Sequence, residues 1–333
     1  MKHCLLSTYV QNFFAKRLIS QMDASANTVS SYRDTFRLLL DFAVRKLNCS
    51  TVDLQVTDID DALVSEFLAA LEQQRRNSVC TRNLRRSAIR SFFQFVAQTE
   101  PALLQHCQRV LAIPAKRTRK PTIDYLDAEE CRALLRAPDL QSWYGRRDRA
   151  LLLVALQTGL RVSELIGLDI KDVALGSASQ SHVSCQGKGR KGRATPLRDD
   201  VAAVLREWLK ERNAAAEQPL FVSNRGTRLS RDAVERIVRK HVQTTSVVCA
   251  TLENKRVSPH TLRHSAAMAL LRNGVSCTVI AMWLGHESVE TTQIYLHADM
   301  EIKRKAMDQT RPANVPKGSY RPNDDLKAFL ESL

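Results

Sequence analysis

IPAKRTRKPT, residues 113 to 122, decides how this chain is divided. Pro114 and Pro121 enclose four basic residues in five positions, Lys116, Arg117, Arg119 and Lys120. Proline has no N–H to give and a fixed φ, so helical periodicity stops here. Four closely spaced cations without an acid among them are what a linker crossing a nucleic-acid backbone would carry. The spacing therefore predicts a first domain over 1–112, a basic linker over 113–122, a second domain over 123–310 and a carboxy-terminal arm and helix over 311–333.

On the amino-terminal side the chain reads as helix after helix from Leu5 to Leu111, with apolar residues three and four apart. Ser25 is an N-cap for a helix whose stripe is Tyr32, Phe36, Leu39, Leu40 and Ala43. The last long helix, SVCTRNLRRSAIRSFFQFV, offers Leu84, Ile89, Phe92, Phe93 and Val96 to a core, while Arg82, Arg85, Arg86 and Arg90 recur at three and four spacing. An arginine stripe is ordinarily a solvated face. Here no acidic residue lies between Arg75 and Arg90, so the stripe is assigned to phosphate contact.

On the carboxy-terminal side, LDAEECRALLRA and RRDRALLLVALQTG read as helices. HVSCQGKGRKGRATPL then sets a Gly and Lys centre between two short β-like segments, a hairpin with Lys188 at its tip. Helices return at RDDVAAVLREWLKER, SRDAVERIVRKHV, SPHTLRHSAAMALLRNG and SCTVIAMWLG. The expected fold class is mainly α with a small antiparallel β-sheet, in two domains, the first helical and the second mixed. No internal repeat or low-complexity tract is present.

Composition narrows the partners. The 333 residues are 44% hydrophobic, enough for two cores, and 50 Lys and Arg against 35 Asp and Glu leave a formal charge of +15. That excess points to a polyanion, with nucleic acid ahead of an anionic membrane. The longest clean apolar run, Ala150 to Leu156, falls far short of the roughly 20 residues a spanning helix needs. Ser7, Thr8, Gln11 and Asn12 interrupt the apolar start, so no signal peptide is expected and the chain is placed in the cytoplasm. Eight cysteines without a CxxC pair read as buried small hydrophobes in a reducing compartment.

Four islands of the second domain hold unusual polar groups. GLRVSEL sets Arg161 and Glu164 three apart on one helix face, by itself a common surface pair. GKGRKGR lacks the spacing of a phosphate loop and sits in a hairpin, so a nucleotide site is not expected. SPHTLRHS places Ser258 as a cap and Pro259 at the first helical position, putting His260 at the positive end of a helix and Arg263 one turn on, an anion site. A zinc site of His260, His264 and His286 is the competing view, but Thr261 stands where HExxH has its glutamate. In LGHESVETTQIYLH, His286 and Tyr295 are nine positions apart, half a turn out of phase on one continuous helix. Ser288 as an N-cap with Glu290 behind it starts a new helix between them, leaving the histidine in the turn.

In order, Arg161, Lys188, His260, Arg263, His286 and Tyr295, with their flanking motifs, make the chain resemble the tyrosine recombinases, the phage integrase family. The resemblance runs over nearly the whole length and implies a SAM-like core-binding domain followed by a tyrosine-recombinase catalytic domain. It implies that Arg161 and Arg263 hold the scissile phosphate and that Tyr295 attacks it to form a 3′-phosphotyrosine. Lys188 would protonate the departing 5′ oxygen, His260 would manage the tyrosine's proton, His286 would bond the phosphate and Glu164 would orient Arg161 and His260. Neither a metal nor a cofactor is implied, because the covalent intermediate keeps the bond energy. The partners implied are double-stranded DNA and further copies of the chain, a tetramer on two DNA sites. The integration or transposition of a mobile element is the reading preferred over a chromosome-dimer-resolving Xer-type role. A type IB topoisomerase and a non-catalytic DNA-binding protein are the alternatives. In the tail, Leu326, Phe329, Leu330 and Leu333 form an apolar stripe at the end of a 14-residue arm, expected to dock on a neighbouring protomer.

Overall fold

The computed structural model describes residues 5–118, 123–176, 180–187, 192–286, 288 and 290–298. The chain splits into two compact units, Met1–Lys120 and Pro121–Leu333. Arg119, Lys120, Lys188 and the tail from 299 onward lie outside the described residues.

The first unit is a helical bundle of α1 (Leu6–Asn12), which runs on into a π-type stretch Phe13–Gln21, α2 (Ala26–Leu47), α3 (Asp61–Gln73), α4 (Val79–Thr99) and α5 (Leu104–Ala112). Local chemistry starts these helices: the side chains of Ser25, Asp60 and Ser78 accept from the N–H groups of Thr28, Leu63 and Thr81. Phe13 is the hub of the core, with Phe92 edge-on at 5.5 Å and Phe36 packed on both rings.

The amino-terminal half of α4 differs from expectation. Leu84 is 54% exposed and Arg82 only 7%. Leu84 and Ile89 are five residues apart, about 140° around a helix, so both cannot face one core. The stripe that continues Ile89, Phe93 and Val96 backward passes through the arginines. Their partners are not acids but main-chain carbonyls at and just beyond the end of α5. Arg82 donates to Pro114 O at 3.1 Å, Arg86 to Ile113 O at 2.6 Å and Arg90 to Leu111 O. Arg85 turns to α2 and donates to Ser31 O and Thr35 Oγ1. Positive charge at a helix C-terminus satisfies orphan carbonyls and opposes the helix dipole. The first residues of the proline-flanked segment are fastened in the same way. Ile113 is buried, Asn83 exchanges hydrogen bonds with the main chain of Lys116, and Lys116 Nζ meets Glu72 at 2.6 Å.

The second unit comprises α6 (Ala128–Arg136), α7 (Trp143–Thr158), α8 (Val162–Gly167), a three-stranded antiparallel sheet, then α9 (Asp199–Arg212), α10 (Arg231–Ser246), α11 (Pro259–Arg272), α12 (Cys277–Leu284) and α13 (Glu290–Ala298). The strands β1 (Val173–Ala174), β2 (His182–Gln186) and β3 (Gly192–Pro196) lie in sequence order, and β2 pairs with β3 from His182↔Pro196 to Gln186↔Gly192. The fold is thus mainly α with one small antiparallel sheet. Buried α7 is the spine of this unit, packed by α6, α9 and α11. A buried polar chain ties α7 to α10: Arg147 grips Asp148 Oδ1 and donates to Val222 O, while Asp148 Oδ2 meets His241 Nε2 at 2.9 Å.

The cysteines correct another expectation. Of the seven described, Cys107 and Cys185 are buried, Cys80 is exposed and the others are half-buried, all as free thiols. Among the described residues no helix is long and apolar enough to cross a membrane.

Candidate active site

Two helix ends build the frame of the site. Gly159 closes α7 at φ +62° and Gly285 closes α12 at φ +64°, the left-handed conformation that glycine adopts without strain. Each is also a point of close approach. A Cβ on Gly159 would stand 2.5 Å from Leu284 Cδ2, and one on Gly285 would stand 2.5 Å from Arg193 Nη1. The carbonyls exposed at these ends receive two arginines. Arg263 donates to Gly159 O and to Leu284 O, both at 2.7 Å, and Arg161 donates to Gly285 O at 3.1 Å.

Glu164 sits beneath them. Arg161 is the N-cap residue of α8, and Glu164, three residues on, accepts its N–H at 2.8 Å and its Nη1 at 2.9 Å. Arg193, on β3, closes on the same carboxylate from the hairpin, and Arg263 Nη1 lies 3.9 Å away. Burial alone would raise the Glu164 carboxyl, but the hydrogen bonds from Arg193 and Arg161 outweigh it and hold it below 4.5. Three guanidiniums around one carboxylate leave two positive charges unbalanced. The Arg263 guanidinium registers this: burial first, then Arg161, bring it down to about 10. A site with that surplus and one partly open arginine, Arg161, is made to accept an anion.

The histidines and the tyrosine complete the cluster. Ser258 caps α11 and Pro259 takes its first position, as the sequence predicts, leaving His260 exposed at the helix start. The covering of part of its ring, then Arg263, Arg161 and Arg231, lower the His260 imidazole. Gly285 breaks the chain before His286, and the Ser288 side chain accepts from Glu290 N–H as α13 begins. This break folds His286 back beside Tyr295, their rings near-parallel at 6.5 Å between centroids. His286 Nδ1 meets Thr292 Oγ1 at 2.8 Å, and burial followed by Arg263 and Arg161 pushes its imidazole down to about 4. Tyr295 is 1% exposed within a small core of Ala267, Met268, Leu271, Ile280 and Leu284. Burial raises its phenol, and Arg263 and Arg161 act against that rise.

The structure thus brings together Arg161, Glu164, Arg263, His286 and Tyr295, with His260 on the same helix as Arg263. Lys188 falls in the sequence between β2 and β3 and lies outside the described residues. Two members were missed in the sequence. The basic run GKGRKGR does not by itself single out Arg193, though strand alternation puts it on the face of buried Thr195. His264 has in the sequence only the role of a candidate metal ligand. Its Nδ1 meets the Tyr295 hydroxyl at 3.0 Å, the position expected for His260, whose ring stands 5.9 Å from that of His264. The four arginines of α4, Lys116 and Arg117 belong to the first unit, and Arg119 and Lys120 lie outside the described residues.

Comparison with known proteins bears on the whole chain. The phage integrase family matches residues 124–301, and the phage integrase N-terminal SAM-like domain matches residues 11–100. The putative integrase/recombinase y4rC of Sinorhizobium fredii is 48% identical over 332 residues, covering 100% of this chain and 99% of its own. Tyrosine recombinase XerC of Pelobacter propionicus is 33% identical over 300 residues, 90% of this chain and 94% of its own. Among solved structures, XerH site-specific recombinase in a post-cleavage complex with its difH substrate aligns with a TM-score of 0.68 at 22% identity, over 86% of this chain and 80% of that one. The Tn1549 transposon integrase in complex with transposon right end DNA aligns with a TM-score of 0.66 at 17% identity, over 90% and 99%. These two structural likenesses establish the fold.

Proposed function

The chain belongs to the phage integrase family of tyrosine recombinases, enzymes that break and rejoin DNA, and on that premise we propose that Tyr295 is the nucleophile of a site-specific recombination reaction. The observation that carries this reading is the meeting of Tyr295 with Arg161 and Arg263 at a buried surplus of positive charge. The two arginines hold the nonbridging oxygens of one phosphodiester through charge-assisted hydrogen bonds that strengthen as negative charge develops. Tyr295 Oη attacks phosphorus and the bond to the 5′ oxygen breaks, leaving a 3′-phosphotyrosine. Lys188 supplies a proton to the departing oxygen. One phosphoester replaces another, so religation needs no external energy. His260, at the positive end of α11, and His286, a neutral imidazole with an N–H to donate, bond the phosphate. Glu164 aligns Arg161.

Double-stranded DNA is the substrate, and the charge of +15 supports binding to its backbone. We read residues 1–112 as the core-binding domain, 113–122 as the linker that follows the DNA, 123–310 as the catalytic domain and 311–333 as a docking arm. The active assembly is a tetramer on two DNA sites in the cytoplasm. The apolar stripe Leu326, Phe329, Leu330 and Leu333 supports exchange of the tail helix between protomers. Phe329→Ala with Leu330→Ala then leaves half-site binding intact and impairs synapsis in native gel shifts. The biological role we favour is integration or transposition of a mobile element, supported by the 48% identity to a putative integrase/recombinase. An Xer-type role is the second reading, supported by the 33% identity to XerC.

The test is a suicide substrate nicked near the cleavage site. Wild-type protein should become covalently attached, while Tyr295→Phe binds the same DNA without attachment. A covalent adduct on the Phe variant overturns the assignment.

A further inference from the structure

We propose that His264 is the base that takes the proton of Tyr295 as the hydroxyl attacks phosphorus. The inference rests on the reading of Tyr295 as nucleophile and adds a residue to it. His264 lies one turn beyond His260 on α11, with its ring between those of His260 and Tyr295, at 5.9 and 5.6 Å between centroids. Its Nδ1 is 3.0 Å from Tyr295 Oη, within direct proton-transfer reach. The other imidazoles are less suited. His286 directs Nδ1 to Thr292 Oγ1, and His260 stands exposed a turn away.

The charges around His264 fit the task. Its neighbours are His260 and Arg263 on α11, Tyr295 on α13 and His286 in the turn before it. Burial first, then His260 and Arg263, push its imidazole down to about 4, so at neutral pH the ring is uncharged and has a lone pair to offer. The arriving phosphate changes this balance. Its anionic charge offsets Arg263, and the further charge that develops in the transition state raises the proton affinity of His264 as the proton must leave the phenol. The Oη–H bond breaks and Nδ1 gains the proton. Oη–P forms, P–O5′ breaks, and the 5′ oxygen takes its proton from the leaving-group side.

The test uses single-turnover cleavage of suicide substrates by the full chain. His264→Asn keeps a hydrogen-bonding atom near the place of Nδ1 but cannot accept a proton at neutral pH. It should bind half-site DNA like wild type and cleave on the order of 100-fold more slowly. His264→Gln is run beside it as a second variant, with half-site binding reporting that each is folded. A substrate with sulfur at the 5′ bridging position needs no proton on its leaving group, so it should restore a Lys188→Ala variant and not the His264 variants. Replacing Tyr295 by the more acidic difluorotyrosine should narrow the gap between His264→Asn and wild type. Wild-type cleavage by both His264 variants, or their rescue by the sulfur substrate, overturns the proposal. Failure of wild type itself to attach through Tyr295 would instead remove the reading beneath it.

Discussion

Arg193 closes both of its terminal nitrogens on Glu164, 3.1 Å to Oε1 and 2.7 Å to Oε2, so β3 is clamped to the same carboxylate that braces Arg161. Removing one partner of a buried pair leaves the other charge poorly compensated, although Arg161 and Arg263 remain near Glu164 here. Arg193→Ala should therefore lower stability by about 1–3 kcal/mol in urea unfolding. It should also slow single-turnover cleavage. Arg193→Lys keeps the charge but loses the planar fork, and should fall between wild type and Ala on both readouts.

Gly285 lies against that clamp. Alanine there must hold a left-handed φ and push on Arg193 Nη1, so Gly285→Ala should cost about 1–3 kcal/mol. Because the same turn carries His286 and accepts from Arg161, cleavage should suffer more than half-site binding. Equal losses in both assays would mean that the turn matters only for folding.

The site should shape stability against pH in two separate windows. His264 and His286 have folded values of about 4 against an ordinary 6.5, so between these limits the unfolded chain binds protons that the folded chain refuses. Their contribution is fully present above pH 6.5 and is lost as pH falls toward 4. Urea unfolding from pH 7.5 to 4.5 should show this fall, and His264→Asn with His286→Asn should flatten it. Glu164 acts lower. Its depressed carboxyl contributes stability present above pH 4.5 and lost as pH falls through its folded value, so the deficit of Glu164→Gln should shrink only below that pH.

In the first unit, the arginines of α4 and the linker cations should separate experimentally. Arg82→Ala removes a buried guanidinium bonded to Pro114 O and should cost about 1–3 kcal/mol of thermal stability. Alanine at Lys116, Arg117, Arg119 and Lys120 should weaken cognate and random duplexes alike and lower the salt slope by roughly one unit per lost contact. Lys116 should contribute least, since Glu72 already holds it. Selective loss on cognate DNA would point to base readout instead.

The features legible in the chain were local. Ser25 and Ser258 with Pro259 start helices in the structure as their side chains require, and Ser288 accepts from Glu290 N–H where α13 begins, between His286 and Tyr295. The hairpin could be read because Gly and Lys residues interrupt two short β-like segments. These features depend on atoms within about four residues of one another, so spacing suffices to show them.

What each charged group meets was set by long-range packing. Nothing within α4 shows that Arg82, Arg86 and Arg90 reach carbonyls 21 to 32 residues away, because every residue carries the same acceptor and spacing cannot say which end nearby. Arg161 and Arg263 find their carbonyls 124 and 104 residues away, and Arg193 joins Glu164 across 29. The choice between His260 and His264 was likewise out of reach of the motif. Both lie on α11 one turn apart, and only the packing of α13 against that helix brings the Tyr295 hydroxyl to His264.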